Sequence, residues 1–76
     1  MKDLLEFLTR ALVEDPGAVE VEEFEEGGDF IYEISVADDD LGRVIGKGGR
    51  VANALRTVAK AAAVKLERRV IVDILD

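Results

Sequence analysis

Between positions 43 and 51 the chain reads Arg-Val-Ile-Gly-Lys-Gly-Gly-Arg-Val. Three glycines in four residues decide what can stand on either side. Glycine in a helix interior costs about 1 kcal/mol relative to alanine, so no helix runs through 46–49. Yet both flanks carry helical patterns. Leu41 to Ile45 reads as a short helical turn, and a long helix resumes at Arg50 and runs to about Leu66. In that second segment Val51, Leu55, Val58, Ala62 and Leu66 form the expected buried stripe. Arg50, Asn53, Thr57 and Lys60 fall on a neighbouring polar stripe at the same spacing. The segment is therefore two helices joined by a tight glycine-built turn.

The rest of the chain can be placed around this turn. Leu4, Leu5, Leu8, Ala11 and Leu12 recur at three-and-four spacing, the mark of an amphipathic helix. Asp3 and Glu6 fit a helix start, and Asp15-Pro16-Gly17 fits a stop. Val19 and Val21 alternate with glutamates, so 18–25 reads as a half-exposed strand. Gly27-Gly28-Asp29 reads as a hairpin turn. Phe30, Tyr32, Ile34 and Val36 then alternate with Ile31, Glu33, Ser35 and Ala37 as a second strand, ended by Asp38-Asp39-Asp40. The nearly unbroken apolar run at 69–75 reads as a third strand, covered on both faces or paired in parallel. The order is α-β-β-α-α-β. The first two strands are antiparallel because a tight turn joins them. The second and third are parallel, with a right-handed crossover through the two helices. The expectation is an α+β domain over 1–76: a three-stranded mixed sheet covered on one face by three helices.

Charge sharpens the picture. The net charge of −7 averages two unlike parts. Residues 1–40 hold two basic and fourteen acidic side chains. Residues 41–69 hold eight basic side chains (Arg43, Lys47, Arg50, Arg56, Lys60, Lys65, Arg68, Arg69) and one acidic, Glu67. A cationic working surface on an acidic body is the physical reading. The acidic run Glu20 to Glu26 is expected away from that surface, limiting nonspecific binding or facing a partner.

Two familiar phosphate loops fail here. A Walker loop needs four residues between its first glycine and Gly-Lys, and Gly42 to Gly46 leaves three. The dinucleotide pattern beginning at Gly46 and Gly48 meets valine at 51. What remains is Gly-x-x-Gly, Gly46-Lys47-Gly48-Gly49, opening a helix N-terminus. Such an end offers unpaired N–H groups and partial positive charge to an anion. The first helix has Asp3 near its start and the short one has Asp40. The long one begins at Gly49-Arg50 with no acidic or hydroxyl cap, an arrangement that leaves the end open to phosphodiester oxygens.

Val44-Ile45-Gly46-Lys47-Gly48-Gly49-Arg50-Val51 resembles the signature of the KH domain, and the element order resembles its type II, prokaryotic form. The resemblance covers essentially the whole chain. It implies single-stranded RNA as ligand, about four nucleotides held at the Gly-x-x-Gly loop. On that footing Gly46 and Gly49 supply close backbone approach, and Lys47 and Gly48 lie along the sugar-phosphate chain. Arg43, Arg50 and Lys60 flank the strand electrostatically. Val44, Ile45 and Leu55 lie in or under an apolar groove, with 69–75 on its opposite side; whether Val44 or Ile45 faces the groove is open. Arg56, Arg68 and Arg69 either join them or pair with the glutamates of 20–26. The resemblance further implies a cytoplasmic RNA chaperone acting in cell shape and wall synthesis, as a homodimer or with a larger KH-containing partner.

Other classes fare worse. The chain has no histidine or cysteine, and Ser35, its only serine, has no base to activate it. An enzyme is not expected, nor a cofactor. Asp38-Asp39-Asp40 lacks the alternating spacing of a calcium loop, so capping rather than metal binding is expected there. The N-terminal stretch is too charged for a signal peptide, and one tyrosine with three phenylalanines is too few for a base-stacking platform. The rival is a protein-interaction module, dimerising through its alanine-rich helix, or a ribosome- or transcription-associated factor.

Overall fold

The computed structural model describes residues 1–46 and 49–75. Helix α1 spans Lys2–Leu12, and a 3₁₀ turn at Pro16–Ala18 leads into β1, Glu20–Glu26. Then come β2 (Asp29–Ser35), α2 (Asp38–Ile45), α3 (Arg50–Leu66) and β3 (Val70–Ile74). The sheet order is β1-β2-β3, antiparallel between β1 and β2 and parallel between β2 and β3. This is the type II KH order read from the sequence.

Local chemistry explains where the boundaries moved. The hairpin turns on two residues, Gly27 (φ 60°) and Gly28 (φ 87°), the left-handed pair that matches strand twist. Asp29 therefore belongs to β2, opposite Glu26. β1 begins at Glu20 because Ala18 and Val19 donate back to the Asp15 and Pro16 carbonyls. The Ala37 carbonyl accepts from the amides of Asp40 and Leu41, so α2 starts at Asp38 and absorbs the aspartates expected before it. At the start of α1 the Leu5 amide bonds the Met1 carbonyl. Asp3 lies inside the first turn without capping it, and Glu6 pairs with Arg10 at 2.7 Å.

Even-numbered residues of β2 and β3 and odd-numbered residues of β1 face the helices. The core gathers Leu5 from α1, Val19 and Val21, Tyr32 and Ile34, Leu55 and Ala59 from α3, and Val72. α1 packs on β1, α3 on β3, and α2 on α3. The Tyr32 hydroxyl, directed from this core toward the edge strand, donates to Glu23 at 3.2 Å. Burial and then the Glu23 carboxylate push its pKa up to about 12.

The stripe expected on α3 is rotated. Ala52, Leu55 and Ala59 are the buried residues, Val51, Val58 and Ala62 are half-buried flanks, and Leu66 is exposed. The alanines bring the helix axis down on the sheet, and the larger valines fill the gaps beside it. A periodicity of apolar size could not show this, because alanine at the point of closest approach reads as weakly hydrophobic.

The C-terminus of α3 closes with two reversed bonds, Arg68 amide to Ala63 carbonyl at 3.2 Å and Glu67 amide to Val64 carbonyl at 3.3 Å. This is the Schellman arrangement, and it puts its pivot in the left-handed region. The pivot is Glu67, φ 54°, the one non-glycine residue with positive φ among the described residues. Replacing Glu67 with Gly is expected to raise stability by about 1 kcal/mol, read as a higher urea midpoint at unchanged slope.

Asp40 was expected as a helix cap and does something else. It is 2% exposed, and its two carboxylate oxygens accept from the amides of Glu14 and Asp15, each at 3.0 Å. The carboxylate thus ties the corner after α1 to the helix that leads into the glycine turn. The Glu14 amide, helped by the Asp15 amide and the Arg43 guanidinium, holds its pKa below the usual range against the opposing effect of burial. Asp40→Asn is expected to be less stable than the parent at neutral pH, because the amide nitrogen cannot accept. A lowered folded pKa means the ionised form's contribution is present above the unfolded value of about 3.9 and disappears as pH falls through the folded value. Denaturant titrations from neutral pH downward should therefore show the gap between parent and variant closing below about pH 4.

Candidate functional site

Two glycines shape the junction between α2 and α3, for different reasons. Gly46 donates to the Gly42 carbonyl at 2.7 Å, and a Cβ at position 46 would overlap that oxygen. Gly49 bonds the Gly46 carbonyl at 2.9 Å and has φ 66°, a conformation that glycine adopts without penalty. The chain enters α3 directly from this left-handed residue. Gly49 has no side chain to fold back on the helix amides, and the first turn of α3 has no acidic residue. The end of a helix of 17 residues therefore presents its partial positive charge, roughly half an elementary charge, without a carboxylate of its own to neutralise it. Lys47 and Gly48, the expected middle pair of the loop, lie outside the described residues.

The polar stripe expected on α3 is on the surface: Arg50, Asn53, Thr57 and Lys60 are all exposed. It runs roughly 15 Å along the helix at 1.5 Å per residue. At its far end opens a groove of about 600 Å3 between α3 and β3. Arg56, Lys60, Ala63 and Val64 form one wall, and Arg69, Val70, Ile71 and Val72 form the other. Small and apolar side chains make the floor, and three cations stand around it. Because β3 is an edge strand, its outer row of backbone N–H and C=O groups has no strand neighbour and is available to a ligand. The acidic strand β1 stands at the opposite edge of the sheet. A second depression, on α1, is lined by Asp3, Glu6, Phe7, Arg10 and Ala11; its two carboxylates make it a poor seat for phosphate.

Each of the other expected site residues has a definite place. Val44 is 0% exposed and Leu55 is 1% exposed, so both lie under the surface as core and neither can touch a ligand. Ile45, 47% exposed, is the member of the Val44–Ile45 pair that reaches solvent beside the turn. Val44 thus leaves the set of contact residues, since helical geometry sends consecutive side chains to different sides. Arg50 and Lys60 are exposed on the stripe. Arg43 forms an ion pair with Glu14 at 2.9 Å; half-exposed pairs of this kind are worth about 0–1 kcal/mol, so the guanidinium is not locked. Arg68 takes the other role considered for it. It pairs with Glu25 at 3.4 Å, donates to the Gly28 carbonyl and lies over the Phe30 ring, clamping the hairpin tip. Arg56 and Arg69 are in no such pair among the described residues and border the groove instead.

Ala63, Val64, Val70, Ile71 and Val72 are groove residues that the sequence did not single out individually. Their signal was diffuse: the apolar run at 69–75 and the alanines at 61–63 were visible, but not that the two would form facing walls.

A three-stranded mixed sheet under helices, with a Gly-x-x-Gly turn between two of them and a cation-rimmed groove alongside, defines a KH domain. The family model described as KhpA/KhpB, KH domain, matches residues 2–74, and the chain belongs to that family. Among similar proteins, the RNA-binding protein KhpA of Clostridium acetobutylicum is 51% identical over 75 residues, 99% of this chain and 100% of that protein. The RNA-binding protein KhpA of Halalkalibacterium halodurans is 51% identical over 76 residues, all of both chains. That of Caldanaerobacter subterraneus subsp. tengcongensis is 49% identical over 75 residues, again 99% of this chain and 100% of its own. No solved structure matches the chain. No helix among the described residues is long and apolar enough to cross a membrane.

The glycine geometry makes a graded prediction. Gly49→Ala should cost about 1 kcal/mol, the penalty for a side chain in left-handed backbone. Gly46→Ala should cost more, because its Cβ meets a backbone oxygen that cannot swing away. Urea midpoints of the two variants, measured side by side, test the order.

Proposed function

We propose that this chain binds single-stranded RNA, with the phosphates at the Gly46–Gly49 turn and the bases in the groove between α3 and β3. The observation that carries the reading is the N-terminus of α3. A long helix is entered through a left-handed glycine, has no acidic residue in its first turn, and continues into an exposed stripe that includes Arg50 and Lys60. Anions are favoured there by orphan amides, by the dipole and by the flanking cations together. The relatives named as RNA-binding proteins support the choice of anion.

In this reading Lys47 and Gly48 run along the sugar-phosphate chain, Arg50 and Lys60 neutralise phosphates, and Ile45 borders the bases. Arg43 turns from Glu14 to the RNA. Arg56 and Arg69 join these cations at the groove. The role is binding rather than catalysis, consistent with a chain without histidine or cysteine. A clamp for about four nucleotides binds weakly by itself. A homodimer, or a pair with a larger KH-containing protein, would present two clamps and gain avidity without new RNA contacts. Such a pair acting as an RNA chaperone in the cytoplasm is the biological form of this proposal.

The test is a double variant, Lys47→Asp with Gly48→Asp, titrated with a short fluorescent single-stranded RNA. Binding is expected to vanish while far-UV circular dichroism and the urea midpoint stay near the parent's. Undiminished affinity in a folded variant would refute the clamp. Salt dependence is the second measurement: neutralising about three phosphates gives a slope of log K against log salt of roughly −2. A slope near zero would assign the domain to protein contacts instead.

A further inference from the structure

The face of the sheet turned away from the helices meets the RNA reading only at Ile71, on the rim of the groove, and its side chains are ordered in rows. Cross-strand registers place Phe24 opposite Ile31 and Ile31 opposite Ile71, an apolar row across all three strands. The next row on this face is Glu22, Glu33 and Asp73, three carboxylates side by side. Like charges directly opposite one another destabilise a sheet, and none of these three is in an ion pair among the described residues. Nor, among the described residues, does any group of three such side chains fit a metal ion. Phe24 remains 43% exposed and Ile31 and Ile71 are half-buried.

Charge selects the occupant. RNA and an anionic membrane are repelled by this row. A second copy set face to face would bring two carboxylate rows together. Spacing selects its form. Adjacent strands are about 4.8 Å apart, close to the 5.4 Å pitch of an α-helix. A helix lying across the strands can therefore set one side chain per turn over each strand. We propose that the outer face of the sheet docks a basic amphipathic helix of a partner protein. Its apolar stripe lies on Phe24–Ile31–Ile71, and its lysines or arginines lie over Glu22–Glu33–Asp73. This site is separate from the glycine turn and does not depend on RNA being the ligand there.

The probe is a synthetic alanine-based helical peptide with one leucine stripe beside one lysine stripe, each with one residue per turn, titrated into RNA-free protein and followed by amide chemical shifts. Shifts are expected to centre on Glu22, Phe24, Ile31, Glu33, Ile71 and Asp73, with affinity falling as salt rises. Glu33→Lys should weaken binding about tenfold or more, a loss of about 1.4 kcal/mol, and Asp3→Lys, the same charge change on α1, should not. Asp3 is exposed and Glu33 half-buried, and circular dichroism checks that each variant is folded. Equal weakening by the two variants, or shifts scattered over the acidic surface, would reduce the effect to net charge and overturn the proposal. So would self-association of the free protein that Ile31→Glu abolishes, because the face would then belong to a second copy. Failure of the RNA titration leaves these readouts untouched.

Discussion

The parallel pairing of β2 with β3 is the constraint on which the remaining architecture depends. A hairpin can be closed by Gly27 and Gly28 alone, but a parallel neighbour begins at the same end of the sheet. The chain must travel back the full length of the sheet before Val70 can pair with Phe30. It does so along α3, and α2 turns it into that path. The glycine junction falls where the two helices meet. Gly46 must pass against the Gly42 carbonyl and Gly49 must take a left-handed conformation for the reversal to fit in so few residues.

The same crossover builds the surface proposed for binding. Packing α3 beside the edge strand β3 leaves a groove between them, to which the helix brings Arg56 and Lys60 and the entry to β3 brings Arg69. The acidic residues of β1 end on the other edge. Overall charge is therefore a poor guide to the ligand of this chain, and local potential a good one. Asp40 adds the anchoring: a buried carboxylate joined to two backbone amides holds α2, and with it the approach to the turn, against the corner after α1.

Much of this is legible in the amino-acid sequence. The element order, the hairpin, the parallel third strand and the uncapped start of α3 follow from local patterns: apolar period, turn residues and missing caps. The polar stripe on α3 was legible for the same reason. The buried stripe was misjudged by about one position, since Ala52 and Ala59 earn their place through closeness to the sheet rather than hydrophobicity. Asp38 to Asp40 read as one capping cluster, yet only Asp40 is buried, and its partners lie 25 and 26 residues earlier in the chain.

The division follows from the range over which each force acts. Backbone conformational preferences, helix and strand periods and the chemistry of a glycine turn depend on a few neighbouring residues, so the sequence alone determined the elements, their order and the cationic character of the turn. Which arginines are held by glutamates and which border a groove depends on residues brought together from distant parts of the chain. Arg68 and Arg69 are adjacent in sequence, yet one clamps the hairpin through Glu25 and Phe30 while the other lines the groove. Only the tertiary structure could separate them, because strand register and helix packing set those distances and no local pattern encodes them.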